Sequence, residues 1–435
     1  MVLSHLDMIS LFRNSAPYIN AHRGKTFVIM LSGEAVASSN LPTIIHDVAL
    51  LNSLGVRLII VHGARPQIDE RIGMRQLTSR FENNVRITDK TTLECVKDAA
   101  GSVRSQIEAL LTMGLPNSPM HGSQIRVASG NLVVAKPMGV RDGIDYENTG
   151  YVRRIDEQGI TNHLNDGYIV LLSPIGYSPT GEVFNLSHEE VATAAAEAMQ
   201  ADKLIAFSEY KGILDKDQQL LRNIELARFE QLLADEVLIN EPHVLDALAQ
   251  AVRAGTPRAH CVSYAVDGSL LKELFTRDGT GSLVTENHYE RLRPAEIEDV
   301  GGILQLIKPL EESGALVKRS RERLEQEIKQ FTVIERDGMI IACAALYPYP
   351  DGFAEIACVA THREYRGKSR GERLLEALTT QAKLQDIRTL FVLTTLTAHW
   401  FLEQGFVEAS REILPTAKQE LYNFQRNSKV FTLDI

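Results

Sequence analysis

The chain has 435 residues, 44% apolar, 23% charged and 6% aromatic, with a net charge of −10 at pH 7. That length is too great for one ordinary core and calls for two or three domains of globular composition. The acidic balance argues against a general nucleic-acid binder, and no apolar run of about 18 residues is present to span a membrane.

The N-terminus, MVLSHLDMISLFRNSAPYI, sets Leu3, Leu6, Ile9, Leu11 and Phe12 at helical spacing among polar residues. It reads as an amphipathic helix over 1–24 and not as a signal peptide. From Thr26 strands and helices alternate: TFVIML and VRLIIVHGA as strands, with LPTIIHDVALLNSLG as the helix between them, closing at Gly55. IRVASGNLVVAKPMG reads as two strands joined in a hairpin at Ser129-Gly130. The helix HEEVATAAAEAMQ and the strands KLIAFS and HCVSYAV follow. Continuous apolar strands separated by helices predict an α/β sandwich over 25–286 with a mainly parallel sheet.

After a linker at Asn287-His288 the order changes, and a second, α+β domain is expected over 290–435. YERLRPA reads as a strand, and Pro294 opens a helix with Ile297, Val300, Leu304 and Ile307 on one face. RERLEQEIKQF puts Leu324, Ile328 and Phe331 on one side. Asp337-Gly338 between two apolar runs is a hairpin signal. FAEIACVAT, TLFVLTT and KVFTLDI read as strands, and GERLLEALTTQAKLQ and AHWFLEQGF as helices. Cys95, Cys261, Cys343 and Cys358 lie far apart without Cys-x-x-Cys spacing, which speaks against disulfides and zinc and for a reducing cytoplasm; no metal is expected.

RGKSRGERLL, starting at Arg366, ends its first half like a nucleotide P-loop. That motif needs a Gly five positions before Gly367, where His362 stands, so the ATP reading fails. The strand order of 290–435 is instead similar to the GNAT acetyltransferase superfamily, whose hallmark is Arg/Gln-x-x-Gly-x-Gly/Ala opening a helix. Arg366 and Gly371 match, while Ser369 stands where the middle Gly is usual. The resemblance implies a cradle for the pyrophosphate of coenzyme A built from Arg366, Gly367, Lys368, Ser369, Arg370 and Gly371. Backbone N–H groups and a helix N-terminus suit a diphosphate, three cations add to them, and Ser is cheap where φ need not be positive.

Acetyl transfer to an amine needs a deprotonated nucleophile, an aligned thioester and a stabilised carbonyl oxygen. In the superfamily the strand before the loop splays from its neighbour and exposes N–H groups. Here that implies Cys358, Val359 and Ala360 as backbone donors, with Glu355 as general base through water. The Tyr that many GNAT enzymes use as general acid is Phe401 here, which leaves Thr394, through water, as the candidate.

Two basic clusters, KRSRER from Lys318 and QRNSKV from Gln425, suit two separate carboxylates on one acceptor. GALVKRSRERLE, EIACVA, LFVLTT, HWFLEQGF and LYNFQRNSKV resemble the bacterial N-acetylglutamate synthase family. The resemblance implies acetylation of the α-amino group of L-glutamate by acetyl-CoA, opening arginine biosynthesis. Arg319, Arg426 and Ser428 would hold the carboxylates, and the backbones of Val317 and Cys358 would line the pocket.

Residues 25–286 are similar to the amino-acid kinase fold, through HGARPQ, FNLSHEEVA, KLIAFS and SLLKELFTRDGTG. The kinase's phosphate-handling residues are changed. Met30-Leu31-Ser32-Gly33 replaces Lys-Leu-Gly-Gly, Ala64-Arg65 interrupts the Gly run after His62-Gly63, and Asn185-Leu186-Ser187-His188-Glu189 replaces Asn-x-Asn-Ala-Asp. The resemblance then implies a sensor for L-arginine as feedback inhibitor, with Tyr18, Lys203, Glu273, Gly279 and Thr280 at the matching positions and backbone carbonyls supplied by the Asp278–Gly281 turn. It also implies an N-terminal helix interlaced between subunits of a homo-oligomer, a hexamer being one such assembly. An N-acetylglutamate synthase, a non-enzymatic arginine-responsive binding protein and an amino-acid kinase all remain to be separated. Met30 and Arg65 oppose the kinase, Glu355 and the cradle oppose the pure binder, and Ser369 and Phe401 leave that binder some room.

Overall fold

The computed structural model describes residues 5–114, 120–276, 278–286, 290–336, 338–366, 369–395, 397–420 and 428–435. Gly367, Lys368 and Arg426, the Asn287-His288 linker and Asp337 lie outside the described residues. The chain divides into two units, Met1–Asn287 and His288–Ile435.

In the first unit, in chain order, the elements that matter are α1 (His5–His22), β1 (Thr26–Leu31), α2 (Leu41–Ser53), β2 (Arg57–His62), α3 (Lys90–Thr112), β3 (Arg126–Ala128), β4 (Val133–Pro137), β5 (Tyr168–Leu172), α4 (His188–Ala198), β6 (Lys203–Ser208), β7 (Asn223–Glu225), α5 (Pro242–Arg253), β8 (Arg258–Ser263), α6 (Ser269–Phe275) and β9 (Ser282–Thr285). Among the described residues one sheet runs β7-β9-β8-β6-β1-β2-β5-β3, parallel except for the β8–β9 pair. β1 is buried along its whole length and serves both layers. Val28 and Met30 pack with α4 and α5, while Phe27, Ile29 and Leu31 pack with α2 and α3. The period of two along a strand sends alternate side chains to opposite faces, so a strand this apolar belongs at the centre of a two-faced sandwich. Asp89 caps α3 by accepting from Thr92 N–H, and Ser187 caps α4 by accepting from Glu190 N–H.

The hairpin expected at Ser129-Gly130 is not formed. β3 pairs in parallel with β5, whereas β4 belongs to a second sheet and pairs with Gly150–Ile155. A turn signal tells where the chain bends, not which strand lies beside it, and here the partners lie far along the sequence.

The second unit contains β10 (Arg291–Pro294), α7 (Val300–Glu312), α8 (Arg321–Glu327), β11 (Phe331–Arg336), β12 (Met339–Tyr349), β13 (Phe353–Thr361), α9 (Arg370–Lys383), β14 (Thr389–Thr394), α10 (Ala398–Glu403), β15 (Val407–Ala409), α11 (Thr416–Glu420) and β16 (Lys429–Asp434). The sheet order is β10-β11-β12-β13-β14-β16-β15, and every pair is antiparallel except β13–β14. Leu374, Leu378 and Ala382 of α9 cover one face, and Val300, Ile303 and Ile307 of α7 cover the other.

The entry into α7 differs from expectation. Pro294 ends β10 opposite Thr332, and a capping box between Glu296 and Asp299 begins a tight 3₁₀ turn over Ile297–Asp299. The helical period therefore starts at Val300. Ile297 is 52% exposed, and the buried face is Val300, Ile303, Leu306 and Ile307.

Candidate active site

β13 and β14 run side by side only through Phe353–Thr389, Ala354–Leu390 and Glu355–Phe391. Past Glu355 they part. The divergence has a local cause on the other edge of β13, where the register with β12 shifts and Cys358 adopts φ +55°. Cys343 Sγ donates to Cys358 O at 3.6 Å within this bulge. An extra residue in one strand bends it and re-aims the residues beyond, at a cost in backbone strain that functional sites commonly carry. The backbone edge of β13 beyond Glu355, no longer laddered to β14, faces a cavity of about 1380 Å³. Small-molecule pockets commonly measure about 300–1,000 Å³, so this one has room for a long ligand.

Cys358, Val359 and Ala360 form one wall of that cavity, and Thr394 ends the opposite wall. Arg366, Ser369, Arg370 and Gly371 close it at the N-terminus of α9, where unpaired N–H groups and the helix dipole favour an anion. Three details of this cradle depart from the sequence reading. Ser369 sits at φ +51°, ψ +22°, so its backbone does take the left-handed conformation that Gly would adopt without strain. Arg370 is not a free cation: its side chain is 5% exposed, bonded twice through Nε to Glu290 at 3.1 and 3.0 Å and through Nη1 to Tyr365 O at 2.8 Å. Gly371 faces an indole, since a Cβ there would lie 2.9 Å from Trp400 Cζ2. Arg366 remains exposed, with Nε 3.5 Å from Thr361 O.

Thr394 shares a hydrogen bond with the Thr397 hydroxyl at 2.8 Å and accepts from Thr397 N–H at 3.0 Å. It is buried beside Phe401, whose ring has no proton to give.

On the α7–α8 side of β13 lies a polar group that the sequence only partly announced. Arg319 N–H donates to Glu311 at 2.8 Å and its Nη1 to Val317 O at 3.3 Å, yet its Nε is buried without a hydrogen-bond partner. An orphaned guanidinium donor invites an anionic ligand. Tyr347 donates to Glu327 at 2.6 Å, which also takes Arg323 Nε at 2.8 Å. Burial and the bond to Glu327 push the Tyr347 phenol up, so it stays a neutral donor. Glu355 is 7% exposed and takes Lys418 Nζ at 2.6 Å, a partner 63 residues away that no local motif announces. Val317 is 55% exposed, while Ser428 is nearly buried just ahead of β16, whose Lys429 pairs with Thr394.

The predicted effector residues of the first unit gather around α6. Glu273 has 6% of its side chain exposed. Its Oε1 takes His260 Nδ1 at 2.8 Å, and its Oε2 takes the N–H groups of Thr280 and Gly281 at 2.8 Å each. Burial alone would raise the Glu273 pKa, but His260 and the two amides outweigh it and the net direction is down. The carboxylate expected to meet a ligand guanidinium is thus already held by its own chain. The carbonyls expected of the turn are engaged too, because Arg222 Nη1 donates to Asp278 O and Gly279 O at 3.2 Å each. Lys203 is buried at the start of β6, 5.6 Å over the Phe27 ring. Tyr18 is half-buried on α1, whose last turn is tied to α6 by His22 Nε2 donating to Leu274 O at 2.9 Å.

The loops that hold phosphates in kinases are pressed together. Gly63 N–H donates to Leu31 O at 2.7 Å, and a Cβ on Gly33 would meet Pro66 Cδ at 2.5 Å and Arg65 N at 2.8 Å. Among the described residues no cluster of three or more His, Cys, Asp or Glu is arranged for a metal, and no helix is long and apolar enough to cross a membrane.

The amino acid kinase family model matches residues 25–263, and the acetyltransferase (GNAT) family model matches residues 300–406. The amino-acid acetyltransferase of Azotobacter vinelandii is 56% identical over 430 residues, covering 98% of this chain and 99% of its own. That of Pseudomonas fluorescens is 55% identical over 426 residues with the same coverage. Among solved structures, N-acetylglutamate synthase from Neisseria gonorrhoeae complexed with coenzyme A and L-arginine matches with a TM-score of 0.90 and 33% identity, covering 98% of this chain and 99% of that one. The same enzyme complexed with coenzyme A and N-acetyl-glutamate matches with a TM-score of 0.62 at 34% identity.

Proposed function

This chain belongs to the amino-acid acetyltransferase family, and on that premise we propose that it transfers the acetyl group of acetyl-CoA to the α-amino group of L-glutamate and is inhibited by L-arginine. The observation that carries the reading is the parting of β13 and β14 directly after Glu355, with the orphaned Arg319 donor on the flank of β13. The thioester would lie along the open edge of β13, where the backbone N–H groups at Cys358, Val359 and Ala360 suit its carbonyl oxygen. The amine nitrogen attacks the carbonyl carbon, its proton passes through water to Glu355, and the carbon–sulfur bond breaks as the thiolate leaves. Thr394 would return a proton to sulfur through water.

Arg319, with Arg426 and Ser428, suits the acceptor's carboxylates, and the backbones of Val317 and Cys358 would line their pocket. The anionic diphosphate suits the α9 N-terminus, where the backbone of Ser369, Arg370 and Gly371 and the exposed Arg366 side chain would supply the attraction, and Gly367 and Lys368 join the proposal by their place in the motif alone. Inhibition by arginine is read from the related synthase crystallised with it and from the Tyr18, Lys203, Glu273, Gly279 and Thr280 neighbourhood. The same reading takes the enzyme as a cytoplasmic homo-oligomer.

Release of coenzyme A thiol is the test, with acetyl-CoA and L-glutamate, with and without L-arginine. Release that needs glutamate and falls with arginine supports both halves. Release unaffected by arginine keeps the enzyme and sinks the sensor. Release with another amino acid but not glutamate sinks the acceptor assignment.

A further inference from the structure

Glu355 does not stand alone where β13 and β14 part. Lys418 Nζ donates to its Oε2 at 2.6 Å, and Tyr349 Oη approaches the same oxygen at 3.4 Å. Only 18% of the lysine side chain and 9% of the glutamate side chain is exposed. Removing two opposite charges from water is costly, and such pairs are weak devices for stability. A pair placed on the proposed base calls for another reason.

The chain takes trouble to deliver this lysine. Leu414 is buried with Phe391 and Val430, and Phe391 is the last residue of β14 to pair with β13, opposite Glu355. The N–H groups of Lys418 and Gln419 both donate to Pro415 O, at 2.7 and 3.0 Å. Gln419 Nε2 then clamps Leu414 O at 2.8 Å and Glu412 O at 3.1 Å. The residue that ends the ladder thus also seats the segment carrying Lys418.

Resting on the reading of Glu355 as base, we propose that Lys418 is a positioning residue for acetyl transfer, holding the Glu355 carboxylate in one rotamer for the acceptor's proton. A charge-assisted hydrogen bond from a seated ammonium fixes the direction in which a carboxylate presents its oxygens. The proton lost by the amine goes to Glu355, and the lysine charge offsets the carboxylate before that transfer.

The full-length enzyme, Lys418→Met, Lys418→Arg and Glu355→Gln are compared by thiol release, with kcat and KM measured for acceptor and for acetyl-CoA. The acceptor is whichever amino acid the unaltered enzyme acetylates. Lys418→Met is expected to lower kcat by about 10- to 100-fold with KM for acetyl-CoA unchanged, part of what a positioned proton acceptor supplies. Lys418→Arg should restore most of the rate, because it returns the cation. Unchanged kcat in Lys418→Met, with Glu355→Gln impaired, removes the lysine from the mechanism and leaves the base in place. A raised acceptor KM at unchanged kcat makes Lys418 a carboxylate-binding group instead, and also overturns the proposal. Arg no better than Met, with both variants losing stability to urea, makes it a packing residue. Unaltered turnover in Glu355→Gln removes the premise itself.

Discussion

Replacing Glu290 by Ala tests whether the α9 N-terminus is held by a buried charge cluster. Glu290 has 14% of its side chain exposed and meets three guanidinium groups. Arg370, 5% exposed, contacts both carboxylate oxygens; Arg336, 7% exposed, lies at 4.0 Å; Arg373, 39% exposed, lies at 3.3 Å. The Arg373 contact is solvent-screened and contributes about 0–1 kcal/mol at most. Loss of one partner from a buried pair costs about 3–5 kcal/mol, because the remaining charge has no water to turn to. Arg370 keeps its bond to Tyr365 O at 2.8 Å and its place 5.1 Å over the Tyr365 ring, so the lower end, about 3 kcal/mol, is expected. Trp400, the sole tryptophan, lies against Gly371 in α9, so urea unfolding followed by its fluorescence reads this unit. With a urea slope of about 1–3 kcal/mol/M, the midpoint should fall by roughly 1 M or more. Adding Arg370→Met to Glu290→Ala should recover much of that loss, since the stranded charge bonded most closely to Glu290 is gone. A midpoint unmoved in Glu290→Ala, or a double variant no better than the single, would refute the reasoning.

Three further outcomes are expected. Glu355→Gln should lower kcat by about 100-fold or more, with coenzyme A binding measured by calorimetry unchanged; wild-type turnover would remove Glu355 as base. Arg222→Gln should free the Asp278 and Gly279 carbonyls and so lower the arginine concentration that half-inhibits thiol release, leaving uninhibited turnover as it was. An unchanged half-inhibition point would place the effector's guanidinium elsewhere. Stability of the first unit should fall on acidification. Burial, then Lys203, lowers His22 to about 4, and burial lowers His62 to about 4. Between the unfolded value of about 6.5 and about 4, the unfolded chain binds protons that the native one excludes, so stability is full above that window and drops as pH falls through it. The loss reaches about 3 kcal/mol per histidine at the acid end. Circular-dichroism unfolding across pH reads it, and greater stability at pH 5 than at pH 7 would contradict the burial argument.

What the sequence made legible is what a short window determines. β1 and β6 are buried at every position and apolar through their centres because both faces are covered, and that reads directly from TFVIML and KLIAFS. The buried face of α9 follows from its spacing of Leu374, Leu375, Leu378 and Ala382. The misreadings are equally physical. β3 and β4 look like a hairpin because the bend between them is local, while their hydrogen bonds are made to strands far along the chain. Ile297 fits the helical period on paper, but a reciprocal cap at Glu296 and Asp299 resets the phase at Val300. The site divides the same way. The strand carrying Glu355 and the helix start beyond it were legible because a strand, a bend and a helix start lie within one stretch. Lys418, Glu290 and Arg222 were not, because each finds its partner 56 to 80 residues away. Charged side chains carry no pairing code along the chain, so a reading that counts them as free cations overstates the field at the site.

That overstatement matters for how an acidic protein attracts an anionic co-substrate. With a net charge of −10, attraction must arise locally. Arg370 is not a free cation at the cavity, because it is tied within hydrogen-bond distance to Glu290, a carboxylate it shares with Arg336 and Arg373. The left-handed turn at Ser369 then takes on weight, because it lets the chain enter α9 at once from Arg370, and the first residues of that helix line the cavity. Backbone dipoles fall off faster with distance than whole charges, so on the proposed reading recognition would work at contact range, selecting a diphosphate already seated in the cleft more than drawing one in from solution. Arg370 serves that arrangement as an anchor. By holding the first turn of α9 to Glu290 and to Tyr365 O, its side chain would steady the backbone on which the proposed diphosphate site depends, so the Glu290 cluster is expected to influence how that ligand binds.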